Sequence, residues 1–399
     1  MKAIFATILM ASSLTLFSQE LFNMEKHAVM DLNKSGKKAK GGNDCWGWTD
    51  KNYKKEIAII GMKNKTSFVD ITNPKKPVHL ADLPTQTRAS TWRDIKVYKN
   101  YAFVVSEAFG HGMQIYNLEN LRSLYGKSDG KVAMVKADKV YKNFANSHNI
   151  FINEETGYAY AVGTNTCSGG LHIIDIKDPM KPKFQTCVGR NVYEVPRAIK
   201  HGKAYTHDVQ CVVYKGPDRR YFGKEICVSS NENTVNVVDV TDKKNPYQIS
   251  VSTYKGVAYT HQGWLSTDHK FFILGDELDE IKQNIKTKTI VWDFRNLENI
   301  KYHFDYTHNT KATDHNLYTK GNLMFQANYL AGVRVFDISK LAKKEMKEIA
   351  FIDTNPNRDA SGFGGGAWSV YPYFSSGNII ASTIEGNMFV FSIKELPED

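Results

Sequence analysis

Apolar residues along this chain fall in short runs rich in Val, Ile, Phe and Tyr, separated by polar turns. Runs this short, made of β-branched and aromatic residues, favour strands over helices. Seven of them carry an acidic, amide or hydroxyl residue inside the apolar stretch: Phe68-Val69-Asp70-Ile71, Ile115-Tyr116-Asn117-Leu118, Ile174-Asp175-Ile176, Val238-Asp239-Val240, Trp292-Asp293-Phe294, Phe336-Asp337-Ile338 and Phe391-Ser392-Ile393. Three continue into near-identical turns, Thr72-Asn73-Pro74-Lys75-Lys76-Pro77, Lys177-Asp178-Pro179-Met180-Lys181-Pro182 and Thr241-Asp242-Lys243-Lys244-Asn245-Pro246. Pro and Asn or Asp at fixed offsets end a strand and set a turn.

A second pattern lies in the polar positions. Ser147-His148-Asn149, Thr206-His207-Asp208, Thr260-His261-Gln262 and Thr313-Asp314-His315 each stand directly before or at the start of an apolar run, and their histidines are 59, 54 and 54 residues apart. Such regularity marks one supersecondary unit copied several times. Seven units of about 45–60 residues, each with three or four strands, predict an all-β fold, a seven-bladed β-propeller. The blades are expected to open near Trp46, Trp92, His148, His207, His261, His315 and Trp368. Ring closure needs an outer strand from the far end of the chain, and residues near His27 to Leu32 are the expected source.

The motifs also resemble a known family. Trp46-Gly47-Trp48, Trp92-Arg93-Asp94-Ile95-Lys96, His111-Gly112-Met113-Gln114, Gly169-Gly170-Leu171-His172, Thr260-His261-Gln262-Gly263-Trp264 and Asp314-His315-Asn316-Leu317-Tyr318 are similar to stretches of the choice-of-anchor B family of exported LVIVD-repeat proteins. The resemblance runs from Cys45 to about residue 394. It implies a propeller exported to the cell surface or beyond, and it brings no established reaction. Members often carry an anchoring segment after the propeller; here a tail of residues 395–399 is all that is expected.

Composition narrows the setting. Of 399 residues, 42% are hydrophobic and 24% charged, which suits a soluble globular protein with a large core. The net charge of +10 comes from lysines scattered through turns, with no basic helix or RNA-binding signature, so nucleic acid is not an expected partner. Lys2, the apolar stretch from Ala3 to Phe17 and a cleavage point at Ser18-Gln19 read as a signal peptide over residues 1–18, with a linker-like segment to residue 44. No other stretch is apolar and long enough to cross a membrane as a helix. Export permits disulfides. Cys211 and Cys227 flank a turn signal between two strand-like runs, and Cys167 and Cys187 bracket another strand pair. Cys45 is the odd one, buried or a free thiol, and no CxxC spacing points to zinc.

Candidate chemistry follows from the repeat. The first strand of each propeller blade lines the central channel, so His148, His207, His261 and His315 are expected at one mouth, with Arg93, Asp94, Asp208 and Asp314. Imidazoles and carboxylates from separate blades can bind a divalent transition metal, and an open position on it can activate water. The structural alternative is that copied residues bond to the backbone of the neighbouring blade. Asp276-Glu277-Leu278-Asp279-Glu280 reads first as a solvated acidic loop without EF-hand spacing; if it reaches the mouth, Glu277 is the expected base. Glu107 and His111 can approach the same place, and Trp264 is a candidate stacking residue there. Gly362-Phe363-Gly364-Gly365-Gly366 lacks the strand–turn–helix context of a phosphate loop and reads as a connection between blades. The leading functional expectation is an exported binding or scaffold module whose partner is an envelope or extracellular protein or a glycan. The alternative is a hydrolytic or redox enzyme with a metal at the histidines.

Overall fold

The computed structural model describes residues 20–35, 40–127, 130–194, 204–356 and 358–396; the expected leader and its cleavage point lie outside them. Seven sheets follow one another along the chain as the blades of a propeller. Their inner strands are Gly42–Asp50, Arg93–Tyr98, Asn149–Asn153, Asp208–Val213, Thr260–Leu265, Leu317–Lys320 and Ala367–Tyr371. Each inner strand touches the next, and Ala367–Tyr371 touches Gly42–Asp50, which closes the ring.

The acid or amide in each repeat has a local cause. Asp70 accepts a hydrogen bond from the backbone of Thr72 at 2.9 Å, Asp175 from Lys177 at 3.0 Å, Asp239 from Thr241 at 2.9 Å and Asp337 from Ser339 at 2.8 Å. Asn117 does the same for Glu119 at 3.0 Å. A short side-chain acceptor two residues before a turn donor folds the chain out of the third strand. The surrounding apolar residues then pack between blades: Ile57, Ile59 and Phe68 of the first blade meet Ile95, Val104 and Tyr116 of the second. Val235 and Val237 of the fourth meet Phe272, Ile290 and Trp292 of the fifth.

The ring is latched by its own beginning. The outer strand of the seventh blade is Met24–Asp31, which runs antiparallel to Asn387–Ile393 with Met24 opposite Ile393 and Asp31 opposite Asn387. It starts a little earlier than the sequence suggests. Just before it, Leu21–Phe22 pairs with Ile352 and Phe351 on the sixth blade, so one segment crosses two blades. The left-handed Asn23 between them donates its side-chain amide to the carbonyl of Glu395 at 2.8 Å.

Both expected disulfides are formed, Cys167–Cys187 in the third blade and Cys211–Cys227 between directly opposed residues of the fourth. Cys45 is a buried thiol, and burial together with Asp44 pushes its pKa up. An alkylating reagent applied without reductant is therefore expected to label no cysteine in the folded protein and a single one, Cys45, in denaturant. Mass spectrometry of the labelled peptides checks this, and labelling of the folded protein would contradict the burial.

Candidate metal centre at the channel mouth

Successive strands of a blade run in opposite directions. The start of an inner strand and the end of the second strand therefore meet at the same mouth. The first supplies the histidines; the second supplies Glu107, just after Tyr101–Ser106, and Glu277, just after Phe271–Asp276. Tyr329 follows Leu323–Ala327 in the same way.

The four repeat histidines form one continuous group. Ring centroids are 4.2 Å apart for His148 and His207, 4.2 Å for His207 and His261, and 4.6 Å for His261 and His315. Three are oriented through Nδ1. That atom of His207 faces the carbonyl of His261 at 3.1 Å, that of His315 faces the carbonyl of Trp368, and that of His148 meets Glu107 at 2.6 Å. A carbonyl only accepts, so Nδ1 of His207 and of His315 carries the proton and the neutral ring keeps its lone pair on Nε2.

His261 is different. It is the extra residue of a β-bulge, between the pairs Thr260–Asp276 and Gln262–Gly275. Bulges re-aim a side chain. His261 is 2% exposed and its Nδ1 has no partner, while its Nε2 lies 3.6 Å from Glu277. The other Glu277 oxygen lies 3.5 Å from His315 Nε2 and accepts the Tyr329 hydroxyl at 2.7 Å. Donor atoms of His261, Glu277 and His315 all lie within 4.8 Å of one another. Tyr329 is held at a φ of 33°, a rare left-handed conformation, and Gly366 lets the chain pass close over its carbonyl, since a Cβ there would lie 2.0 Å from that oxygen. Part of the glycine run thus has a packing task.

Electrostatics favour uncharged rings. Burial, reinforced by the neighbouring imidazoles, holds His207 and His261 well below the ordinary histidine value, and burial lowers His315 to about 4. Burial raises Glu277 to about 7. Neutral imidazoles are the form that ligates metals.

Deeper in the channel lies a layer of buried charge. Lys96 bonds Asp94 at 2.6 Å and Asp44 at 3.2 Å. Asp94 also accepts from the backbone of Ile150 at 2.7 Å, and Asp208 accepts from Asn149 at 3.2 Å. Burial pushes Asp94 well above the usual carboxylate range and Asp208 up to about 7.

The other expected site residues are placed as follows. Arg93 and His111 are spent on each other, 3.0 Å apart and buried, with Arg93 also donating to the carbonyl of Met62. Asp276 does not face the mouth: it is fully buried and accepts from Tyr254, Ala258 and Tyr259 at 2.6–2.7 Å. The acidic run is not a solvated loop. Asp279 and Glu280 are buried with it, Asp279 against Lys288 at 2.7 Å. Asp314 is buried beside Gln326, not among the imidazoles. Trp264 sits three residues beyond His261, among aromatic residues at the far end of the channel. Tyr329 and Lys96 were not singled out from the sequence as parts of a site. The repeated position after the second strand, which also holds Glu107 and Glu277, is the signal that marks Tyr329.

No model of a known protein family matches the chain, and no curated protein matches it.

Burial, and then the charge of Asp279, push Glu280 up to about 9. Its folded pKa is raised, so its contribution to stability is present below about pH 4.5 and is lost as pH rises toward 9. Glu280→Gln is expected to flatten the fall in melting temperature between pH 6.5 and 9 and to melt above wild type at pH 8. Thermal scans across pH test this; parallel curves would show that Glu280 is ionised in the fold.

Proposed function

We propose that this propeller is a metalloprotein in which His261, His315 and Glu277 ligate a divalent first-row transition ion at the channel mouth. The observation that carries it is the convergence of those three donors within 4.8 Å, with Glu277 a ligand rather than the free base that the sequence suggested. Two imidazoles and one carboxylate with open positions form a set used for metal-centred oxygen and hydrolytic chemistry. His207 stacks against His261 and supplies a further imidazole, and His148 borders it under the control of Glu107. Imidazoles bound at about 2.1 Å and about 90° to one another have centroids about 4.5 Å apart, closer than a tetrahedral site allows. The 4.6 Å between the two proposed ligand rings, His261 and His315, favours iron, manganese, cobalt, nickel or copper over tetrahedral zinc. When bound, the ion supplies a Lewis acid or redox centre. The protein's own part is to keep the imidazoles neutral, hold Glu277 through Tyr329 and leave the mouth side of the site for a small substrate.

A propeller also fits a binding or scaffold module, and two disulfides are compatible with an extracellular setting. The resemblance to exported LVIVD-repeat proteins supports placing the metal centre outside the cytoplasm, facing an envelope or extracellular partner.

Elemental analysis after loading with each ion in turn tests the proposal. About one ion per chain is expected in the parent and none in a folded His261→Ala/Glu277→Gln variant. Tyr329→Phe is expected to keep the site but weaken affinity about 10–100-fold, as loss of an outer partner does. No bound ion in the parent after loading, or retention in the double variant, would overturn it.

A further inference from the structure

At the end of the ring away from the channel mouth, turns join first strands to second and third strands to fourth. Lys and Arg outnumber Asp and Glu in these turns about twofold among the described residues. In the connections at the mouth the two signs are nearly equal among the described residues. The excess positive charge of the described turns is therefore gathered on one face.

Depth separates the signs further. Several carboxylates on this face are drawn back to hold the turns. Asp70 and Asp239 accept from the backbone of Thr72 and Thr241, Asp218 from that of Leu297, and all three are buried. Asp50 is buried against Arg122 at 2.7 Å, and the exposed Glu155 is met by Lys215 at 2.9 Å. Asp242, also exposed, is turned to the backbone of Lys244. The ammonium groups stand at the tips instead: Lys51, Lys76, Lys244, Lys340, Lys343 and Lys344 are all exposed.

Bulky apolar side chains stand among these tips. Tyr53 is 56% exposed between Lys51 and Lys54, and Phe222 is 52% exposed just after Arg219 and Arg220. Val78 follows Lys75 and Lys76 by two residues, and Tyr247 follows Lys243 and Lys244 at a similar distance; both are exposed. Arg219 lies over the Phe222 ring, 5.3 Å from its centroid. Basic groups interleaved with protruding rings and aliphatic chains are the composition of a surface that meets lipid headgroups, where charge attracts and apolar side chains enter the boundary.

We propose that this face docks the propeller on an anionic lipid bilayer. The exposed tips are spread over the first, fourth and sixth blades, so they meet a plane together. A linear polyanion would engage one sector at a time and leave the apolar side chains idle. Each basic residue near an anionic leaflet strengthens adsorption, and the attraction fades within a Debye length, about 8–10 Å in ordinary salt. Docked in this way, the molecule turns its channel mouth away from the membrane, open to solutes. The inference does not depend on the metal centre.

The test is co-sedimentation of the mature chain, without the expected leader, with phosphatidylcholine vesicles that lack or contain about 30% phosphatidylglycerol. Affinity for the anionic vesicles is expected to be at least tenfold higher, and to fall at least tenfold between about 0.05 and about 0.5 M salt. Lys51→Glu, Lys76→Glu, Lys244→Glu and Lys343→Glu together should weaken it at least tenfold in a protein of unchanged circular dichroism. The same change of net charge at the mouth, through Arg88→Glu, Lys142→Glu, Lys255→Glu and Lys311→Glu, should weaken it less than about threefold. Phe222→Ser should weaken vesicle binding severalfold. No preference for anionic vesicles, equal losses in the two quadruple variants, or indifference to Phe222→Ser would overturn the assignment. Binding of dextran sulfate without binding of vesicles would overturn it in favour of an acidic polysaccharide.

Discussion

The innermost strand of every blade is an edge strand, and in a closed ring that edge cannot be left bare. Its outward backbone groups point into a narrow channel shared with neighbours, where unmet donors and acceptors are costly. The chain answers with side chains that reach from one blade to the backbone of another. Asp94 accepts from Ile150, Gln210 from Leu265 and Gln262 from Leu317. Asn149 donates to the carbonyl of His207. His207 and His315 reach the next blades' carbonyls in the same manner. Polar residues at the start of each repeat are thus demanded by the architecture before any chemistry is considered.

An imidazole suits that demand and exceeds it. One nitrogen completes the belt; the other is left over, aimed inward and unprotonated. The structural and functional explanations of the repeated histidine are therefore compatible. His261 is where they part: displaced onto a bulge, it gives up the backbone contact, and its Nδ1 has no hydrogen-bond partner. Beneath the imidazoles, the Lys96 layer separates the mouth from the aromatic rings at the other end. The channel holds three tiers of different character.

Much of this was legible in the sequence, for physical reasons. The histidine spacing of 59, 54 and 54 residues reports the blade repeat, and the acid in each apolar run reports a turn that needs a short acceptor. The cysteine pairs were readable because strands joined by a turn must lie side by side. What escaped depended on direction. Asp276 and Glu277 are adjacent, yet the first turns into the backbone of Ala258 and Tyr259 and the second toward the imidazoles. Trp264 and His261 share one strand but serve opposite ends of the channel, as the bulge and the strand's length dictate. Trp46, Phe151 and the neighbouring Tyr371 and Tyr373 come from distant parts of the chain, and each looks like ordinary core. Only closure of the ring brings them together.

The latch carries a consequence for how the molecule comes into being. Met24–Asp31 pairs with Asn387–Ile393, the first long strand with the last. During synthesis the opening strand has no partner until almost every later residue has emerged, and meanwhile it is a bare edge. The circle therefore closes only once the seventh blade has been made, and that blade decides whether the other six become a finished object.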